Sequence, residues 1–416
     1  MQIKPNKMNT LLKWGLSASI AFFLLLPAAV SAQEIKTNFV EENVPAYSLP
    51  EVLRLENGRK VLNRRVWEKK RRAEVLEVLS QEMYGHVPAR PEGLHFETRS
   101  VDTVYAGLGL RKVVRIFLDA AGEHWFDALV HVPRGFEGPV PFFAGLNFKG
   151  NDATLDERSS AAWPYEMILG AGWGVITAWR DSVEPDGNAF VPPTEEGVIC
   201  GDGGVRTWYN PGGDWGAISA WAWGLSRMLD YLETEPDADA SRVVVMGHSR
   251  LGKTALWAGA NDARFAGVIS NCSGCCGAAI SRRVFGENFA SIDKVFPHWF
   301  TREFDKYAGR EADFPADQHW LAALAAPRPL YIVSASKDGW ADPKGEWACA
   351  VAVAPVYRLY RKPGLASDRF DAVVWPEPDC PVSDGTVAYH MHDGKHSINA
   401  FDWAQYLRFF SRHLNR

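Results

Sequence analysis

The sequence predicts an α/β fold: a mostly parallel central sheet flanked by helices, with an N-terminal decoration of helix and strands. Three observations carry this. Buried-type strands at residues 139–146, 172–179, 243–245, 266–270 and 329–335 alternate with helical stretches, the order that builds a parallel sheet. Residues 94–132 hold short alternating runs with no helix between them, a pattern of antiparallel strands. Finally, Val243-Val244-Val245 runs through Met246 into Gly247-His248-Ser249, and a helical stretch follows at once, so a strand turns sharply through a serine.

Taken in order, residues 1–32 have the layout of an export signal. Lys4, Lys7 and Lys13 form a basic start, an apolar run covers 16–30, and Val30-Ser31-Ala32 is a small-residue cleavage site. The run is short and broken by serines and Pro27, so a cleaved signal is expected rather than a membrane anchor. No cysteine follows it to carry a lipid. The mature chain then starts near Gln33 and is periplasmic or secreted, and residues 33–416 suit one domain.

Residues 33–50 are polar with prolines and read as a surface arm. Val61, Leu62, Val66, Trp67, Val75, Leu76, Leu79 and Met83 recur among charges as an amphipathic helix, with room for one break. Strand 139–146 ends in Asn147-Phe148-Lys149-Gly150-Asn151. Strand 172–179 leads into a charged loop through Asp186. Ile218, Trp221, Leu225, Met228, Leu229 and Leu232 fall at helical spacing just before the serine strand. Beyond strand 266–270 come a Gly- and Cys-rich segment and a Phe/Trp-rich insertion to about residue 317. Strand 329–335 ends in Lys337-Asp338-Gly339-Trp340. The last strand is expected at 370–375, followed by a loop with His390, His392 and His396 and a helix at 399–414.

Composition excludes some partners. A formal net charge of −5 offers nothing to nucleic acid or anionic lipid. Seventeen tryptophans and 12% aromatic residues exceed the needs of a core and suit stacking on sugar rings. Cys200, Cys272, Cys275, Cys276, Cys349 and Cys380 supply only half of a zinc motif, and their pairing is not readable from sequence.

A strand turning into a helix through Gly-x-Ser is the nucleophile elbow of the α/β-hydrolase fold. There the serine hydroxyl stands above the sheet beside a helix N-terminus, where backbone N–H groups stabilise an anion. The second glycine here, Gly252, comes three residues after Ser249 rather than two. A serine needs a base, and the base needs a carboxylate to hold its tautomer. On this fold they follow in the order Ser, Asp or Glu, His at strand ends, which Asp338 and His396 satisfy. The loop after strand 139–146 is expected to give a second oxyanion N–H. His390, His392, Asp393 and His396 also invite a metal reading, but nothing upstream resembles a second ligand cluster, so no metal is expected.

The stretch Gly247-His248-Ser249-Arg250-Leu251-Gly252-Lys253 resembles the G-x-S-R-x-G-K signature of glucuronoyl esterases, carbohydrate esterase family 15. The likeness continues through Asn271-Cys272-Ser273-Gly274, Arg282-Arg283, Gly286-Glu287, Asp338-Gly339-Trp340-Ala341-Asp342-Pro343 and His396, in motif order over nearly the whole mature chain. It implies an esterase that cleaves the bond between (4-O-methyl-)glucuronic acid on xylan and lignin alcohols. Ser249 is then the nucleophile, His396 the base, and Arg250 the oxyanion stabiliser. Lys253 and Glu287 hold sugar hydroxyls, and Trp340 packs on the uronate ring.

The chain departs from the family pattern twice. Many members carry a catalytic Glu where this chain has Asn271-Cys272-Ser273, so the acid role falls to Asp338. Fungal members carry cysteines at the positions of His248 and Ser397, so this looks like the bacterial branch. No cofactor is expected, and the substrate is a glucuronoxylan or lignin–carbohydrate ester. The chain is expected to act as a monomer with no nucleic-acid partner and no membrane partner after signal cleavage. Two alternatives stay open: an exported acetyl xylan esterase, and a catalytically impaired carbohydrate-binding relative.

Overall fold

The structure, a computed structural model, describes residues 37–155, 162–187, 197–198, 204–365 and 374–414. The expected export signal, Cys200 and most of the strand expected at 370–375 lie outside these residues. Among the described residues ten strands form one sheet. They are β1 (His95–Val104), β2 (Gly109–Phe117), β3 (Trp125–Pro133), β4 (Val140–Asn147), β5 (Gly174–Trp179), β6 (Gly197–Val198), β7 (Ala238–His248), β8 (Gly267–Asn271), β9 (Leu330–Ala335) and β10 (Val387–His392). Their spatial order is β1-β2-β3-β5-β4-β7-β8-β9-β10, with β6 beside β3.

From β5 to β10 every neighbouring pair is parallel. β1, β2 and β3 pair antiparallel, and β3 joins β5 antiparallel. This is the α/β-hydrolase arrangement with an antiparallel extension at one edge. Parallel strands covered on both faces need apolar residues on both, and β4 is buried at every position. Alternate side chains then serve opposite layers. Val243, Val245, Val268, Leu330 and Ile332 join one core cluster; Val244, Met246, Ile269, Tyr331 and Val333 join the other.

The N-terminal helical run holds α1 (Arg72–Leu79) between two wider turns, Trp67–Arg71 and Ser80–Tyr84. Trp67, Val75, Leu79 and Met83 are buried as the spacing predicts, whereas Leu62 faces solvent. α2 (Ala217–Leu232) is buried along its whole length, and α3 (Arg250–Asn261) follows β7 directly. α4 (Pro343–Ala352) follows β9, and α5 (Ala400–Leu414) closes the second face with Trp403, Tyr406, Phe409 and Phe410.

The end of the chain differs from expectation. The last strand is Val387–His392, and Val374 and Trp375 belong to no strand. With the last strand expected at 370–375, His390 and His392 were expected in the loop after it. Both are buried strand residues, satisfied by a carboxylate described below. Among the described residues Cys272, Cys275, Cys276, Cys349 and Cys380 form no disulfide. No described helix is long and apolar enough to cross a membrane.

Candidate active site

β7 ends at His248 and α3 begins at Arg250, which leaves Ser249 alone on the turn. Its φ of 59° and ψ of −130° are values that a residue with a Cβ seldom adopts. The surroundings impose them. Ser249 N–H donates to Asn271 O at 2.9 Å, and Ser249 O accepts from Gly252 N and Lys253 N at 2.8 and 3.2 Å. Gly247 has no alternative, because a Cβ there would lie 1.9 Å from Leu251 O. The shifted second glycine also has a reason. A Cβ on Gly252 would meet Ser273 Cβ at 3.0 Å and Asn271 O at 3.1 Å, where α3 passes the end of β8.

Ser249, Arg250, Lys253, Cys272, Glu287, Asp338, Trp340 and His396 line one cavity of about 340 Å³. The elbow supplies the first three, the segments after β8 and β9 supply the next four, and the loop after β10 supplies His396. All lie beyond strand C-termini, where parallel sheets open their binding crevice. The loop after β4, expected to give a second oxyanion N–H, lines a neighbouring cavity of about 200 Å³ with Gly247 and His248.

His396 Nδ1 lies 2.5 Å from Asp338 Oδ2. The Asp338 side chain is buried and the imidazole is partly exposed to the cavity. Cys272 Sγ donates to Ser397 O at 3.8 Å, and burial pushes its thiol well above the ordinary range. Behind His396 stands His248, with ring centroids 4.4 Å apart. His248 Nδ1 pairs with Asn271 Oδ1 at 2.6 Å, and burial, then the neighbouring His396, lowers its pKa to about 4. Asn271 Nδ2 donates to Tyr406 Oη at 2.9 Å and to Asp402 Oδ2 at 3.4 Å.

Asp402 in turn binds both expected loop histidines, His390 Nε2 at 2.8 Å and His392 Nδ1 at 3.0 Å. The remaining nitrogens reach Tyr331 Oη at 2.9 Å and Lys395 O at 3.3 Å. Burial alone would raise Asp402, but the two histidines hold it down at about 2. So all four nitrogens of His390 and His392 are used, and Asp402 links them to Asn271 and through it to His248 beside His396.

Lys253 is buried. Its ammonium donates to Ser273 O and Cys275 O at 2.7 Å each, and to Glu287 Oε2 at 3.2 Å. Its three donors are thus spent inside the protein, clamping the turn after β8, and a sugar hydroxyl would have to share one. That turn is also held from below. Glu346 on α4 accepts from Ser273 N at 2.8 Å, Gly274 N at 3.0 Å and Ser334 Oγ at 2.6 Å, and burial pushes its pKa up to about 8.

The Arg250 guanidinium lies over Phe296 and Trp299, 4.9 and 4.7 Å from the ring centroids, and pairs with Asp186. Asp186 also accepts from Trp299 Nε1 at 2.7 Å and faces His298 Nε2 and Arg180, each at 3.0 Å. Burial would raise its pKa; the hydrogen bond from His298 and the charge of Arg180 lead the effects that hold it well below the usual range. Sequence reasoning missed Asp186. Its charged loop was visible, but nothing local tied it to an arginine after the serine.

Trp340 is 45% exposed at the rim, with Phe39 of the N-terminal arm 6.3 Å away, ring to ring. The arm is fastened there by Gly286 N donating to Asn38 O at 2.8 Å and by Glu41 pairing with Arg283 at 2.8 Å.

A family model described as "Glucuronyl esterase, fungi" matches residues 194–360. A curated relative, "Carbohydrate esterase MZ0003" from an unknown prokaryotic organism, is 39% identical over 92% of this chain and 94% of its own length. The solved structure of a glucuronoyl esterase from Solibacter usitatus is 40% identical with a TM-score of 0.80, covering 90% of this chain and 100% of its own. A glucuronoyl esterase variant from Sporotrichum thermophile, solved in complex with methyl 4-O-methyl-β-D-glucopyranuronate, is 26% identical with a TM-score of 0.53, covering 74% of this chain and 77% of its own. The elbow, its arginine and this breadth of likeness together lead to one conclusion: the chain belongs to the glucuronoyl esterases, carbohydrate esterase family 15.

Proposed function

We propose that the protein hydrolyses the ester between (4-O-methyl-)glucuronic acid of glucuronoxylan and lignin alcohols, through a glucuronoyl-enzyme. The observation that carries this is the single cavity shared by Ser249, His396, Arg250 and the ring of Trp340. Ser249 Oγ attacks the ester carbonyl while His396 takes its proton. The oxyanion is stabilised by the Arg250 N–H, which has no intrahelical partner at the start of α3, and by its guanidinium. The alcohol leaves with the proton from His396. Water, losing a proton to the same imidazole, then releases the uronate and frees the serine.

Asp338 stabilises the imidazolium at its Nδ1 side. The carboxylate 2.5 Å from the ring supports a working triad against an impaired sugar binder, the alternative that the missing family Glu raises. Trp340 offers an apolar face to the pyranose. Glu287, and Lys253 through the donor it shares with Glu287, address the uronate hydroxyls. The export signal at residues 1–32 puts the enzyme outside the cytoplasm, where plant polymer is found.

The test compares a benzyl or methyl glucuronate ester with an acetylated xylo-oligosaccharide on the same preparation. The uronate ester should be turned over far faster. Preference for the acetyl ester would overturn the substrate assignment in favour of an acetyl xylan esterase.

A further inference from the structure

A thiol, a carboxylate and an imidazole converge in the cavity. One donor atom from each of Cys272, Asp338 and His396 lies within 4.8 Å of the other two. All three residues line the space into which Ser249 opens. Two of the three are held by the sheet: Cys272 N–H donates to Val333 O at 2.7 Å, and Asp338 N–H to Ala335 O at 3.1 Å. The third, the imidazole, sits on a loop with its side chain 41% exposed and has room to adjust.

Sulfur, nitrogen and oxygen donors are the set zinc takes, at about 2.0–2.3 Å each, so a tetrahedral ion needs them about 3.2–3.8 Å apart. The donors start within 4.8 Å of one another, and turning the exposed His396 ring and the Asp338 carboxylate would have to bring them to that spacing. The fourth position then faces the cavity and is open to water. The other histidine–carboxylate cluster, His390, His392 and Asp402, is different: it is sealed from solvent and every ring nitrogen is bonded.

We propose that Cys272, Asp338 and His396 form a three-donor site for a zinc-class divalent ion that switches the esterase off. The ion replaces the thiol proton, which passes to solvent, and joins the carboxylate and a neutral imidazole. If it takes the ring nitrogen facing Asp338, the ring is pulled from its acid and the hydrogen moves to the nitrogen that must accept the serine proton. If it takes the other nitrogen, that acceptor is blocked. Turnover stops either way. Inhibition, though not binding, rests on His396 being the base.

The experiment titrates the purified wild-type protein, Cys272→Ala and Cys272→Ser with cobalt chloride and zinc chloride. Each variant is checked by its melting temperature and measured against its own metal-free rate. Wild type should show a thiolate-to-cobalt charge-transfer band that both variants lack. Zinc should inhibit hydrolysis of a methyl glucuronate ester, reversibly with EDTA, with half-inhibition moved on the order of 100-fold upward in Cys272→Ala. Absence of the band in wild type, or equal zinc sensitivity in all three proteins, overturns the site. A band with unaffected turnover overturns the switch, and shows either that His396 is not a ligand or that it is not the base.

Discussion

Asp186 and Arg250 form an ion pair inside the site although 64 residues separate them in the chain. This carboxylate, together with the faces of Phe296 and Trp299, aims the guanidinium that the proposed mechanism charges with stabilising the oxyanion. Asp186→Asn keeps the shape and removes the charge that fixes the fork. It should lower kcat roughly tenfold, less than the 10²–10³ of a deleted oxyanion donor, with little change in KM. Steady-state kinetics decide it: a rise in KM at constant kcat would make Asp186 a substrate contact.

Ser249→Ala should remove turnover by about 10⁴ or more while leaving sugar binding intact. The left-handed backbone at this position also strains Ala, so its melting temperature should stay close to wild type. Calorimetric titration with glucuronate, beside the rate assay, checks both halves. A rate within tenfold of wild type would end the serine mechanism.

Asp338→Asn should cost roughly 10²–10⁴ in kcat with little change in folding, because an amide presents the wrong partner to His396 Nδ1. Cys272→Glu in that background should recover part of the loss, since Cys272 and His396 line the same cavity and a carboxylate there approaches the ring from another side. Full activity in Asp338→Asn alone would mean that the acid lies elsewhere.

Glu287 and Lys253 should behave differently despite their shared hydrogen bond. Glu287→Ala should weaken glucuronate esters by about 1–3 kcal/mol and spare a small acetyl ester. Lys253→Ala unpairs two buried carbonyls, Ser273 O and Cys275 O, as well as Glu287. Both substrates should suffer, and the melting temperature should fall. An unchanged melting temperature with loss confined to the uronate ester would make Lys253 a pure sugar contact.

Glu346 predicts a pH dependence of stability. Its folded pKa is raised by burial to about 8, against 4.5 when unfolded. Between those values the unfolded state holds fewer protons, so stability present below pH 4.5 is lost as pH rises toward 8. At pH 7 the cost approaches about 3 kcal/mol as an upper bound. Glu346→Gln keeps an oxygen for the N–H groups of Ser273 and Gly274 and does not titrate. Its melting temperature should exceed wild type by a margin that widens from pH 5 to pH 8; a constant margin would refute the buried acid.

The elbow was legible because it is local: glycine, serine and helix adjoin in the chain. Asp338 and His396 were legible from chain order, since each follows a strand. That the sheet is mostly parallel followed from the alternation of strands and helices, although the last strand lies at Val387–His392 rather than at 370–375. What stayed hidden depends on distant partners. His390 and His392 owe their burial to Asp402 on a later helix, which nothing in their own stretch shows. The sugar role of Lys253 came from the family resemblance; that it also holds Ser273 O and Cys275 O depends on residues distant in the chain. Asp186 and Glu346 act on the site through residues far away in the chain.

The arm that fastens Asn38, Phe39 and Glu41 to the rim bears on how the enzyme is coupled to a carrier. A bead, fusion partner or cell-surface anchor joined just before residue 37 emerges beside the ring of Trp340. Small soluble esters would still diffuse past it, whereas a branched polysaccharide would be screened. An immobilised preparation could then look fully competent in a dye-release assay and fail on wood. For work on polymer, the attachment belongs elsewhere on the molecule.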